Sequence, residues 1–121
     1  MAGNEDFLKL ADAARQRIRE ITPDEALAKQ LQGAHLIDVR DGEEVAEKPG
    51  LPGAVNISRG RLEVKIGDAV ADKDAPVVLY CAGGNRGALA ADSLRQMGYR
   101  NVFNVSGGLN AFDNVSTKEK K

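Results

Sequence analysis

VVLYCAGGNRGALAADSLRQM, residues 77–97, passes from strand to loop to helix within one stretch. Its first four residues, Val77 to Tyr80, form an unbroken apolar run rich in β-branched side chains, the pattern of a strand buried on both faces of a parallel sheet. Further on, Leu89, Ala90, Leu94 and Met97 recur at helical spacing until Gly98 stops them. Between the two lies Cys81-Ala82-Gly83-Gly84-Asn85-Arg86-Gly87. The one cysteine of the chain therefore stands where a strand ends and a loop turns into a helix.

Such a junction favours negative charge on the sulfur. The first turn of a helix has backbone N–H groups without intrahelical partners and carries the positive end of the macrodipole. Cysteines at helix N-termini or beside cations have pKa values lowered to about 3.5 to 7.5, and the thiolate is the nucleophilic form. Gly83, Gly84 and Gly87 open backbone angles closed to other residues, so that the N–H groups of Ala82 to Arg86 can turn inward as a nest for an anion. Arg86 can close that nest with a fixed positive charge. The competing account is a buried, inert cysteine in an ordinary strand-to-helix turn. Three loop glycines and an arginine speak against it.

Outward from this stretch, helices and strands alternate. Asn4 to Glu20 is predicted as one amphipathic helix, with Phe7, Ala11, Ala14 and Ile18 on one face and Lys9, Asp12, Arg15 and Arg19 on the other. Its apolar stripe is expected to dock on the chain's own domain. Thr22-Pro23-Asp24-Glu25 has a capping threonine, proline at the first helical position and glutamate at the third, which starts a helix burying Ala26, Leu27 and Leu31 and ending near Gly33. His35 to Arg40 follows as a strand whose polar end lies at the carboxyl edge of a parallel sheet, where open α/β sheets place their sites. The sole histidine, His35, stands at the other end of that strand, which argues against a Cys-His hydrolase. Asp41 to Lys48 is a short charged helix cut off by Pro49-Gly50, Val55 to Ile57 a small strand, and the segment through Leu62, Val64 and Ile66 a helix. Asn101 to Val105 is the last strand, and Ser106-Gly107-Gly108 opens a final helical turn, Leu109 to Phe112. This alternation requires a mostly parallel sheet covered on both faces.

The 121 residues suit a single domain with a real core. A formal net charge of −1 gives no electrostatic case for nucleic acid or an anionic membrane. No apolar run is long enough to span a bilayer, and the start MAGNEDFLKL lacks the basic and apolar regions of a secretory signal. One cysteine forms no internal disulfide and no paired redox thiol, so a cytoplasmic home is expected.

Four strings now bear comparison with a known family: DVR at 38–40, PGAVNI at 52–57, CAGGNRG at 81–87 and GYRNVFNVSGGLNAF at 98–112. In this order and at this spacing they resemble a single-domain rhodanese, over about Thr22 to Phe112. The resemblance implies a rhodanese-like doubly wound α/β domain over 22–113, with five mostly parallel strands flanked by helices and the cysteine loop near the middle. Residues 1–21 would be an N-terminal helical extension and 114–121 a polar tail. It also implies that Cys81 accepts a sulfane sulfur as a persulfide from a small donor such as thiosulfate, and passes it to cyanide, a thiol or a sulfur-carrier protein. No cofactor or metal is called for. Asp38 and Arg40 are expected as structural supports, and Phe112 as a core aromatic. Arg59, and less so Arg61, could attract an anionic donor to the mouth of the site. The chain would act as a monomer or homodimer.

Two rivals stand beside this. A cysteine-dependent phosphatase or arsenate reductase of related fold also sets a cysteine and an arginine around an oxyanion, in a C-x5-R loop. Here the loop is C-x4-R, Cys81 to Arg86, a smaller ring better suited to one sulfur atom. A non-catalytic rhodanese-like module for binding or redox sensing is the other, and the presence of the cysteine disfavours it. Nucleotide binding has neither a P-loop nor a dinucleotide turn to support it.

Overall fold

A computed structural model describes residues 2–112, with side chains from residue 4 onward; the predicted tail at 114–121 lies outside the described residues. Helix α1 (Ala2–Arg15) leads into β1 (Arg19–Ile21), α2 (Pro23–Leu31), β2 (His35–Asp38), α3 (Gly42–Glu47) and β3 (Val55–Asn56). A 3-10 turn (Arg59–Arg61), α4 (Leu62–Ala69), β4 (Val77–Tyr80), α5 (Asn85–Gln96) and β5 (Val102–Val105) follow, and residues 108–112 make a closing helical turn. The sheet has five strands in the order β1-β5-β4-β2-β3, and every pairing is parallel. This is the expected α/β architecture, with β4 in the middle.

Alternation along the strands divides the core in two. Val77, Leu79 and Cys81 join Ile37, Val39, Leu62, Ile66, Ala90 and Leu94 on the side of α4 and α5. Val78 and Tyr80 join Leu36, Ile21, Ala26, Phe103, Val105 and Phe112 on the other. Each side chain of β4 is completely buried, a burial worth about 1.5–3 kcal/mol for a large aliphatic residue. Phe112 fills the expected core position and meets the Tyr80 ring edge-on, with centroids 6.2 Å apart.

The N-terminal segment differs from its prediction. The helix ends at Arg15 instead of Glu20: two turn bonds, Gln16 N–H to the Ala13 carbonyl (3.2 Å) and Arg17 N–H to that of Ala14 (2.9 Å), close it. Arg19 to Ile21 then pair with Phe103 to Val105. That strand is the fifth of the sheet, absent from the segments predicted as strands. Ladder bonds to β5 and burial of Ile21 outweigh the local helical periodicity, since strand preference is decided by neighbours more than by intrinsic tendency. Docking on the chain's own domain is as expected: α1 packs on α5, and Ala11 and Ala14 are completely buried. Arg17 adds an ion pair to buried Asp92 of α5 at 2.9 Å.

Helix α2 carries the predicted capping box, with Glu25 N–H donating to Thr22 Oγ1 (3.1 Å) and Thr22 N–H to Glu25 Oε1 (2.8 Å). Its burial is narrower than predicted. Ala26 is in the core and Leu27 packs at its edge, but Leu31, in the last turn, is 90% exposed.

Candidate active site

Strand β4 ends at Tyr80, so Cys81 is the first residue beyond the carboxyl edge of the central strand. The next residues turn back over it to start α5, whose N-cap is Gly84. Two backbone amides converge on the sulfur: Gly84 N–H at 3.0 Å and Gly87 N–H at 3.3 Å. Gly84 caps a 12-residue helix and Gly87 lies in its first turn, so hydrogen bonding and macrodipole act on Sγ together. Gly87 lies one residue beyond the segment predicted to form the nest, and it is a donor as well as a spacer. Gly84 needs to be glycine for its backbone, which sits at φ +108°. Gly87 needs to be glycine for space, since a Cβ there would overlap the Asn104 amide oxygen. Gly83 has neither constraint and is exposed. The carbonyls of Cys81 and Ala82 accept from Leu109 N–H (2.7 Å) and Asn110 N–H (3.1 Å), which fastens the loop to the closing turn. Cys81 itself is 1% exposed.

Arg86, the cation of the loop, is paired with a carboxylate. Its two terminal nitrogens donate to Glu44 of α3 at 2.6 and 2.8 Å. The Arg86 guanidinium holds the Glu44 carboxyl well below its ordinary range, at about 2, against the opposing effect of burial. Glu44 in turn pushes the Arg86 pKa up, and the nearby Cys81 sulfur acts in the same direction. Glu44 also accepts the Asp41 backbone N–H at 2.9 Å, so one carboxylate both ties the start of α3 and orients Arg86.

Helix α3 is fixed at its far end by Arg40. That guanidinium pairs with Asp38 (Nη2 to Oδ2, 2.7 Å), both side chains being almost fully buried, and its Nη1 donates to the Lys48 carbonyl at 2.8 Å. Asp38 thereby raises the Arg40 pKa. Asn56 of β3 donates to the Asp38 and Arg40 carbonyls at 3.0 and 2.8 Å. The hydroxyl of Tyr80, whose pKa is raised chiefly by burial, accepts the Leu51 N–H at 2.9 Å. Asp38 and Arg40, expected as structural supports, thus tie the end of β2 to α3, the helix whose Glu44 holds Arg86.

Arg59 is committed elsewhere in the fold: Nη1 pairs with Glu63 at 2.9 Å and Nη2 donates to Ser93 Oγ at 2.9 Å. Arg61 lines a separate cleft of about 580 Å³ between β3 and α4, together with Ser58, Lys65 and Asp68; Cys81 is not part of its lining. Asn85 accepts a hydrogen bond from Arg15 of α1 at 2.6 Å. Glu44 escaped the sequence reading because, three residues after Asp41, it reads as a helix cap alone. Asn104 escaped it because an asparagine in an otherwise apolar strand declares no partner. His35 is exposed at the remote end of β2.

The family model described as "Rhodanese-like domain" matches residues 22–114. Thiosulfate sulfurtransferase GlpE of Pseudomonas savastanoi pv. phaseolicola is 36% identical over 90 residues, covering 74% of this chain and 82% of that protein. Among solved structures, the polysulfide-sulfur transferase homodimer of Wolinella succinogenes superposes with a TM-score of 0.78 at 28% identity, covering 93% of this chain and 85% of that one. A Rhodopseudomonas palustris protein of unknown function, described as a possible tyrosine phosphatase, superposes with a TM-score of 0.83 at 30% identity, covering 91% of this chain and 90% of that one. Both superpositions reach beyond residues 22–114 into the N-terminal segment. By the family match over most of its length and by the fold built around the Cys81 loop, this chain belongs to the rhodanese-like domain family.

Proposed function

We propose that the protein is a sulfurtransferase that moves a sulfane sulfur from a donor such as thiosulfate to a thiophilic acceptor through a persulfide on Cys81. The observation that carries this is the pair of backbone amides at 3.0 and 3.3 Å from Sγ. They stabilise a thiolate before loading and again when it leaves, and no metal or cofactor takes part.

In the first half-reaction the Cys81 thiolate attacks the outer sulfur of thiosulfate. A new S–S bond forms, the donor's own S–S bond breaks, and sulfite departs with the electron pair. In the second, cyanide or a thiolate attacks the outer sulfur of the persulfide, and Cys81 leaves as thiolate. Atoms and electrons balance without an external oxidant, and the scheme is ping-pong covalent catalysis. The outer sulfur stands about 2 Å beyond Sγ, so the persulfide reaches further out than the thiol of the buried cysteine. Arg86 supplies positive charge for the donor, shared with Glu44. The loop amides and Arg86 serve substrate binding, and Arg59 acts at most through α4 and α5, to which its side chain is tied. A sulfur-carrier protein is a natural acceptor for the same chemistry, the active form being a monomer or homodimer. A reducing compartment, hence the cytoplasm, suits an unpaired reactive thiol.

The phosphatase alternative keeps one point in its favour, the description of the R. palustris neighbour. Against it, the two amides close on the sulfur itself, and the one arginine of the loop is already held by a carboxylate. Steady-state assays decide between them. Thiosulfate-to-cyanide transfer with parallel-line kinetics, abolished in Cys81→Ser, is expected; Cys81-dependent aryl phosphate hydrolysis that outpaces it would overturn the proposal.

A further inference from the structure

Strand β1 lies outside the family match, yet it delivers a side chain to the back of the cysteine loop. The β1–β5 register sets Glu20 beside Asn104. Asn104 Nδ2 donates to Glu20 Oε2 at 2.8 Å and to the Gly84 carbonyl at 3.1 Å. Both partners are acceptors, so they fix which way the buried amide faces. Its oxygen is consequently turned onto Gly87, fully buried and without a hydrogen-bond partner among the described residues, in the space a Cβ would need. Leaving an acceptor unsatisfied costs free energy, and that cost is offset by what the other end of the amide holds.

The Gly84 residue is held at both ends. Its N–H points at Cys81 Sγ, and its carbonyl lies between Asn104 Nδ2 and Ala88 N–H (3.0 Å). Without Asn104 the carbonyl keeps only the Ala88 bond, and the residue at φ +108° that aims its N–H at the sulfur is held less firmly. Arg15 of α1 completes the chain of contacts, with Nε near Glu20 Oε2 (3.4 Å) and Nη2 on Asn85 Oδ1 (2.6 Å).

We propose that Asn104, Glu20 and Arg15 are positioning residues that aim the Gly84 amide at the Cys81 sulfur, making the α1–β1 segment an integral part of the site. The importance of that amide rests on the sulfur-transfer proposal; its measurement does not, because alkylation of Cys81 reports on the sulfur whatever the reaction.

The test follows the pH profile of Cys81 alkylation and, separately, kcat/KM for thiosulfate, in the full chain and its variants. Glu20→Ala, at a partly exposed strand residue, removes the acceptor that orients Asn104. It should move the alkylation profile toward alkaline pH by roughly 0.5 to 1 unit and lower kcat/KM by about threefold to tenfold, as expected for weakening one hydrogen bond to a charged group. Glu20→Gln, which keeps an acceptor oxygen, should recover most of both. Asn104→Asp, which loses the donor, should exceed Glu20→Ala if it folds. A Glu20→Ala protein with the parent's alkylation profile, or Ala and Gln variants that behave alike, would overturn the positioning role. A parent that takes up no sulfur would refute the proposed function instead, with the alkylation comparison still deciding this inference.

Discussion

Arg86 and Glu44 form a two-bond ion pair beside the sulfur, so each sets what the other can do. Truncating the arginine removes the fixed positive charge and leaves the Glu44 carboxylate without its cation. Arg86→Ala should therefore stay folded and raise the thiosulfate KM by about tenfold or more, with a smaller change in kcat, in steady-state assays. An unchanged KM would show that the cation plays no part in donor binding. Gly87→Ala tests space in place of charge: its Cβ would overlap Asn104, and overpacking of this kind costs about 1–3 kcal/mol. An unfolding free energy from chemical denaturation lowered by that amount, with loss of sulfur transfer, is expected; a parent-like value would mean that the loop gives way easily. Cys81, the glycines and Arg86 were legible in sequence because they are contiguous. Glu44 and Asn104 were not, because they reach the sulfur loop from elements 42 residues before it and 20 after it in the chain.

Among the elements, α2 was readable to the residue because its start signal is local. Thr22 and Glu25 satisfy each other's backbone N–H, and Pro23 takes the first helical position. Thr22→Ala should lower stability by about 1 kcal/mol, measured by denaturant titration. Leu31→Ser should stay within about 0.5 kcal/mol of the parent, because an exposed side chain has no packing to lose. A large loss from Leu31→Ser would mean that this surface is covered in solution. The opposite case is β1. Arg19-Glu20-Ile21 is too short for a period and continues an amphipathic pattern, and only the β5 ladder makes it a strand. Without that strand Glu20 is only the last residue of a predicted helix, with no route to the cysteine loop.

At the scale of the whole molecule, acid stability follows from carboxylates whose pKa values folding depresses. Glu44 falls from 4.5 to about 2 through its bonds to Arg86, and Asp92 is lowered by Arg17 and Arg95. A depressed carboxyl contributes stability that is complete above its unfolded pKa and is lost as pH falls through its folded one. Stability should thus be nearly flat above about pH 5 and decline from pH 4.5 toward about 2, with Glu44→Gln showing a shallower decline. A decline of equal depth in that variant would exclude Glu44 as a contributor. The parallel α/β architecture with the cysteine at the middle of the sheet was visible from alternating segments and four family-like strings, while the contacts that join the N-terminal segment to the site exist only once the sheet is assembled.

The central claim, a persulfide on Cys81, is tested most directly by intact mass. The purified protein treated with thiosulfate should gain the mass of one sulfur atom, lose it on addition of cyanide with release of thiocyanate, and gain nothing as Cys81→Ser. A parent that stays unloaded with thiosulfate and with other sulfane donors, or a serine variant that loads equally, would contradict it.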